Sequence, residues 1–288
     1  MYKRNDARLS LSYHRPHHLN AALDIAADPA HRIVAGGTDF FPSAQQGQMA
    51  PLILDITAIP ALAGIARTDA GYRIGAAVRW SDVAKADLPA AFDALKQAAL
   101  QVGSLQIQNA GTLAGNICNA SPAADGVPPL LTLDAEVEVA SAARGVRQLP
   151  LRDFITGVRQ TALAADEIVT ALIIPTPPAG AVSRFEKLGS RTYLVISIAM
   201  VSALIARDAA GRIAVARIAV GSCSAVAQRL SALEADCLGK PPSKVVITPK
   251  HLAPLSPIDD VRGTAQYRRE AVAELCLRAI RGAGDAHD

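Results

Sequence analysis

Apolar residues fall along this chain in short blocks separated by turn-forming residues. ALDIAAD predicts a short helix, and the compact runs HRIVA at 31–35 and PLILDI at 51–56 predict buried strands on either side of an AGGTDF turn. YRIGAAV predicts a further strand. SDVAKAD and the run from Pro89 to Val102 read as helical, with Ser81 the expected N-cap of the former and Pro89 suited to a first helical turn. EVEVAS at 136–141 alternates apolar and polar positions, as a strand with one covered face does, and an ARG turn follows it. IVTALIIP at 168–175 predicts another strand, closed by a PTPP run. Beyond it VSRFEKL predicts a strand, YLVISIAMVSALIA at 193–206 predicts buried core, and RIAVARIAV at 212–220 a hairpin-like strand. Helices are expected near 226–238 and 266–281. The order divides into units 1–57, 58–178 and 179–288, with PTPPAGA as the sharpest boundary and no internal repeat.

One stretch breaks the pattern. QNAGTLAGNICNASPAADG at 108–126 is built from glycine, alanine, asparagine and other small residues inside a chain that is 50% apolar. Composition otherwise marks a folded protein whose 288 residues suffice for a sizeable core. With only 4% aromatics, that core must come from Ala, Val, Leu and Ile.

Charge and cysteines narrow the classes. A net charge of +3 without a basic run argues against nucleic-acid binding. The four cysteines form no CxxC pair, which points to a reduced, cytoplasmic setting. The N-terminal residues lack the apolar core of a signal peptide, and no apolar run is long enough for a membrane span. HRPHH at 14–18 has no carboxylate support for a metal. No nucleophile–base–acid set supports hydrolysis.

The chemistry resides in two small-residue segments. Gly36 and Gly37 follow a strand directly, where glycine permits positive φ and successive amides can form a concavity for an anion. Gly111–Thr112–Leu113–Ala114–Gly115–Asn116 supplies a second glycine loop in a different unit. Together they could close on one extended ligand. Thr38, Thr112, Asn116 and Ser121 would face a diphosphate, and Asp125 a ribose or ribityl chain. Simple turns, with Asn116, Asn119 and Asp125 satisfying local backbone, are the alternative. Neither segment is a GxGxxG or GxxxxGK[ST] fingerprint. Trp80 and Phe154 are expected in packing. So are Phe40 and Phe41, although adenine or ring contact stays open for these two. Cys118 is expected as a small buried side chain. Taken alone, Lys187 reads as a surface lysine beside Glu186.

TLAGNICNASPAADGVPPLLTLDAEVEV resembles the second flavin-binding motif of the FAD-containing medium subunits of molybdenum hydroxylases, the xanthine dehydrogenase and carbon monoxide dehydrogenase type. AGGTDFFP resembles their first pyrophosphate loop. The likeness continues through LPLRDFITGVRQTALAADEIVTALIIP and FEKLGSRTYLVISIAMVSAL, nearly the whole chain in the family's order. It implies an α+β chain of the vanillyl-alcohol-oxidase/p-cresol-methylhydroxylase-type FAD-binding fold. Two N-terminal α/β subdomains would hold FAD, and a C-terminal α/β domain with a three-stranded sheet would pack beside them. It implies Val34, Ala35, Gly36, Gly37, Thr38 and Asp39 on one side of the diphosphate, and Gly111, Thr112, Ala114, Gly115 and Asn116 on the other. Ser121 and Asp125 would meet the ribityl or sugar–phosphate portion. Leu172 and Lys187 would lie near the ring system, with Tyr193 stacked beside it or in the core. Ala114 stands where many relatives have glycine, and Gln108 where many have arginine. The cysteines match no iron–sulfur insertion of the benzoyl-CoA reductase type.

By the same resemblance the chain carries electrons from a small [2Fe–2S] subunit to FAD and on to NAD or another acceptor. Substrate would be hydroxylated in a large molybdopterin-cofactor subunit, within a heterotrimer or a dimer of heterotrimers. The alternatives are a stand-alone FAD-dependent oxidase of the same wider fold, a non-flavin nucleotide-binding protein, and a scaffold with purely structural loops.

Overall fold

The computed structural model describes residues 12–44 and 52–285. Most of the N-terminal segment read for a signal peptide, and Pro51 at the start of the second expected strand, lie outside these. The chain begins with β1 (Ser12–His14), α1 (Leu19–Ala26), β2 (His31–Val34), α2 (Phe40–Ala44) and β3 (Leu52–Asp55). β3 lies between β1 and β2 and is parallel to both. Parallel neighbours need crossover connections, which α1 and α2 provide. The helix α1 buries Ala22, Leu23 and Ala26, one stripe of its surface.

A second sheet is built from β4 (Ile65–Thr68) and β5 (Gly71–Gly75), then, after a run of helices, from more distant strands. The helices are α3 (Trp80–Lys85), α4 (Asp93–Gln101), α5 (Leu105–Ala110), α6 (Leu113–Asn119) and α7 (Val127–Thr132). There follow β6 (Glu136–Ser141), β7 (Gly145–Pro150), α8 (Leu151–Phe154), the small hairpin β8 (Ile155–Gly157) and β9 (Gln160–Thr161), and β10 (Ile168–Pro175). The antiparallel order is β4-β5-β10-β6-β7. Alternation in β6 matches its burial: Val137 and Val139 are fully buried, while Glu138 faces outward and accepts from Arg73 at 3.1 Å and Thr170 at 2.7 Å. β7, GVRQLP, is mostly exposed and so has no apolar signature.

Ser81 is not the N-cap of α3. The helix starts at Trp80, because the Trp80 amide is taken by the Gly111 carbonyl in a bridge pairing Arg79 with Thr112. Asp82 then accepts from the Arg79 amide at 3.1 Å. Pro89 precedes a short 3₁₀ turn, and α4 begins only at Asp93.

The third sheet contains β11 (Val182–Leu188), β12 (Ala199–Arg207), β13 (Ile213–Gly221) and β14 (Gln228–Arg229), all antiparallel in that order. It has four strands where three were expected. Gln228–Arg229 adds an edge strand in a region read as helix, so α9 (Ser231–Cys237) is correspondingly shorter. α10 (Ala265–Asp285) covers one face. Val272, Leu275, Cys276, Ala279, Ile280 and Ala283 recur at helical spacing along it and are buried against Ala199, Val201, Ala203 and Ile205 of β12. Leu204 and Ala206, on the opposite face, join the core shared by the first two sheets. A strand covered on both faces reads as an unbroken apolar run. That run is nevertheless shorter than expected: Tyr193, Leu194 and Ile196 are exposed, and burial begins at Ser197.

Candidate flavin site

The two small-residue segments meet. A Cβ placed on Gly36 would lie 1.9 Å from the Ala110 carbonyl oxygen and 2.7 Å from the Gly111 Cα. Gly36 therefore abuts the junction of α5 and α6 backbone to backbone. A Cβ on Gly111 would lie 3.2 Å from Thr38 Oγ1 and 3.4 Å from the Trp80 ring. Gly37 has φ +69°, and Phe41, half exposed, folds its ring against it.

The consequence is a run of unused donors. The amides of Gly36, Gly37, Thr38 and Asp39 have no hydrogen-bond partner among the described residues, and neither does the Thr38 hydroxyl. Successive amides left without a partner at a strand end can form an anion-binding concavity. Across from them the amides of Thr112 and Ala114 are also without a partner among the described residues.

The second segment is not the loop read from its glycines. Leu113–Asn119 is helical, and Thr112 caps it by accepting from the Gly115 amide at 3.0 Å. Gly115 leaves room for this cap, since a Cβ there would sit 2.8 Å from Thr112 Oγ1. Ala114, where the family often has glycine, is helical and buried, so its methyl is accommodated. Asn116 Oδ1 accepts from the Gly126 amide at 3.2 Å, and Ser121 Oγ from the Ala123 amide at 3.3 Å. Gln108 is buried and donates to the Leu100 and Val102 carbonyls, a structural duty for a side chain without charge.

Lys187 is not a surface lysine. Its side chain is 5% exposed, and Nζ donates to Asp125 Oδ2 at 2.7 Å and to the Gln101 carbonyl at 3.2 Å. The second oxygen of Asp125 accepts from the Ser197 hydroxyl at 2.6 Å. Burial pushes the Asp125 carboxyl up, opposed by the Lys187 charge and the two hydrogen bonds. Leu172 sits in the core on β10 between Ile74 and Val137, 1% exposed, in the same apolar cluster as Leu113 and Ile117 of α6. Tyr193 stands half exposed in the bend between β11 and β12, outside the core. Burial pushes the Cys118 thiol up to about 12, consistent with an inert packing side chain. Trp80 and Phe154 are buried as expected. Ser197 and the Gln101 carbonyl escaped the sequence reading, because long-range contacts bring them to Asp125 and no local motif marks them.

A cleft between β4–β5 and the 176–182 linker shares no lining residue with either segment. The site is therefore defined by donors, not by cavity size. Free amides, hydroxyls and closely apposed small residues suit an anionic dinucleotide such as FAD.

The model of the FAD binding domain in molybdopterin dehydrogenase matches residues 8–177, and that of the CO dehydrogenase flavoprotein C-terminal domain matches residues 185–283. The chain thus belongs to the family of FAD-binding subunits of molybdenum hydroxylases, components of multi-subunit oxidoreductases, and FAD is its cofactor. It is 40% identical over 171 residues to the nicotinate dehydrogenase FAD-subunit of Eubacterium barkeri, a match spanning 58% of this chain and 57% of that one. It is 30% identical to the nicotine 6-hydroxylase medium subunit of Paenarthrobacter nicotinovorans, over 96% of this chain and 98% of that one. Among solved structures it is similar to CO dehydrogenase from Oligotropha carboxidovorans, with a TM-score of 0.88 and 25% identity over 96% and 98% of the two chains. No helix among the described residues is long and apolar enough to cross a membrane.

Proposed function

We propose that this chain is the cytoplasmic flavin electron-transfer subunit of a molybdenum hydroxylase, with a vanillyl-alcohol-oxidase/p-cresol-methylhydroxylase-type fold in units 1–57, 58–178 and 179–288. It works beside a large molybdopterin-cofactor subunit and a small [2Fe–2S] subunit, in a heterotrimer or a dimer of heterotrimers. The observation that supports the reading is the meeting of Gly36 with Ala110–Gly111, which brings together two segments whose amides at 36–39 and at 112 and 114 have no partner among the described residues.

Bound FAD would supply the redox chemistry, taking electrons one at a time from one-electron iron–sulfur carriers and passing them on singly or as a pair. The protein's part is to bind and orient. Amides of residues 36–39 hold one side of the diphosphate, with Val34 and Ala35 leading the chain into the turn. The Thr112 and Ala114 amides hold the other side, with Gly111, Gly115 and Asn116 keeping that helix end close. The Thr112 hydroxyl accepts from Gly115 and keeps its own proton for a phosphate oxygen. Ser121, an acceptor toward Ala123, likewise keeps a proton for the ribityl chain. Lys187 places positive charge near the ring, Tyr193 stands beside it, and Leu172 supports the ring from within the core. Nicotinate, nicotine and carbon monoxide appear in the relatives' names. The substrate of this chain's complex is set by the large subunit, and the acceptor is NAD or another carrier.

The test is isolation of the native complex. The expected preparation is brown from its iron–sulfur clusters, releases yellow FAD on denaturation, contains molybdenum and iron–sulfur subunits, and reduces NAD or a dye only when all three chains are present. Substrate oxidation by the isolated chain would instead establish a stand-alone oxidase.

A further inference from the structure

The Gly36 amide is free because a ladder stops short. Val34 pairs with Asp55 in the parallel β2–β3 ladder, and the Ile56 amide donates to the Val34 carbonyl at 3.0 Å. A residue in a parallel ladder bonds to the neighbours of the residue facing it, so these bonds recur along each strand. The next one would run from the Gly36 amide to the Ile56 carbonyl. It is not made. The Ile56 carbonyl accepts instead from the Ile59 amide at 3.3 Å, closing a turn over 56–59. Gly36 keeps its donor.

Asp55 shapes that turn. It is 8% exposed, and its Oδ1 accepts from the Thr57 amide at 2.8 Å and the Thr57 hydroxyl at 2.7 Å. A carboxylate that takes the amide two residues on makes an Asx turn, which bends the chain where a strand would run on. Oδ2 accepts from the Tyr13 hydroxyl on β1 and lies 3.3 Å from Arg15 Nε. Arg15 also donates to Thr57 Oγ1 at 3.3 Å. Burial works to raise the Asp55 carboxyl, but the hydrogen bonds from Thr57 and Tyr13 and the Arg15 charge outweigh it and hold the carboxyl below its ordinary value. The acceptor is ionised at neutral pH, with Arg15 as its counter-charge.

We infer that Asp55 is a positioning residue of the flavin site: its turn ends the β2–β3 ladder early and leaves the Gly36 amide free for the cofactor's diphosphate. This rests on the reading that places the diphosphate at residues 36–39. The carboxylate acts through the backbone of its own turn.

The experiment reads amide hydrogen exchange at Gly36 together with FAD affinity, on the full chain stripped of FAD and well below its unfolding temperature. In the parent, the Gly36 amide should exchange freely and become protected when FAD is added. Asp55→Ala should let the ladder extend. Its Gly36 amide should be protected without FAD, and FAD should bind about tenfold more weakly, the effect of one lost hydrogen bond. Asp55→Asn, which keeps an acceptor oxygen for the Thr57 amide, should restore both readouts. Neither Thr57 nor Ala58 has a positive φ, so proline suits position 57 as the first corner of the 56–59 turn. Adding Thr57→Pro to Asp55→Ala should therefore also free Gly36 and recover FAD binding, and this pair decides the matter if Asp55→Ala alone does not fold. Parental exchange and FAD affinity in Asp55→Ala would overturn the inference, whatever its loss of stability. So would a Gly36 amide already protected in the FAD-free parent, or no recovery in either Asp55→Asn or the proline pair. Failure of added FAD to protect the Gly36 amide of the parent would instead bring down the placement of the diphosphate at 36–39.

Discussion

Gly36 carries more of the site than its size suggests. A methyl there would strike the backbone at Ala110, which cannot swing aside as a side chain would. Gly36→Ala should therefore separate the two segments, costing roughly 1–3 kcal/mol of stability as an overpacking change and weakening FAD binding. Urea unfolding and FAD titration of the same variant check both effects. At the same scale, Glu167 illustrates a charge that tertiary structure tunes. It accepts from Arg147 Nε and Nη2, each at 2.7 Å, and from the Ala164 amide at 2.8 Å. The Arg147 hydrogen bond holds the Glu167 carboxyl below its ordinary value of 4.5, burial working in the opposite direction. A folded-state value below the unfolded one means that the contribution is complete above the unfolded value and fades as pH falls through the folded one. Glu167→Gln should thus lower stability at neutral pH, and the gap to the parent should narrow as pH falls below the carboxyl's ordinary value of 4.5. Chemical denaturation across an acid pH series measures the gap.

Among the elements, α6 decides the geometry of the second segment. Its cap, Thr112, satisfies the Gly115 amide and stands at the start of the donors proposed for the diphosphate. Thr112→Ala should cost about 1 kcal/mol of stability, typical of a lost N-cap, and lower FAD affinity as well. Thr112→Ser should restore both, because it keeps the hydroxyl; thermal unfolding and FAD titration report the result. Sequence patterning foresaw β6 and β10, where alternation or unbroken apolarity reflects how many faces are covered. It missed β7 and β14, one mostly exposed and one two residues long, because neither generates a hydrophobic period. It also read α6 as loop, since glycine and asparagine are poor helix formers taken singly.

At the scale of the whole molecule, a set of ion pairs ties the end of α7 to the third sheet. Asp134, just beyond α7, pairs with Arg217 at 2.8 Å and Arg229 at 2.9 Å, and Arg229 also holds Glu234. Arg217 and Arg229 donate in addition to the Thr132 and Leu131 carbonyls at the end of α7. Arg229→Ala removes several charge-assisted bonds at once and should cost roughly 2–3 kcal/mol, seen as an earlier calorimetric transition. Cofactor binding adds to the same balance. At one hundred times the dissociation constant, FAD should stabilise the chain by about 2.7 kcal/mol through mass action. Stripping FAD should lower the melting temperature, and re-addition should restore it.

Local pattern determined the main strands, the amphipathic C-terminal helix and the two places where small residues gather, because burial and backbone freedom leave their marks within a few neighbouring residues. The order of the motifs disclosed the family and its flavin. Only tertiary structure decided that Gly36 serves the approach of another backbone segment, that Thr112 caps a helix, and that Lys187 is buried. It also brought Lys187 and Ser197 to the two oxygens of Asp125. Gln101, Asp125, Lys187 and Ser197 lie far apart along the chain, and their distances depend on how the sheets and helices pack. No periodicity in the sequence encodes those distances.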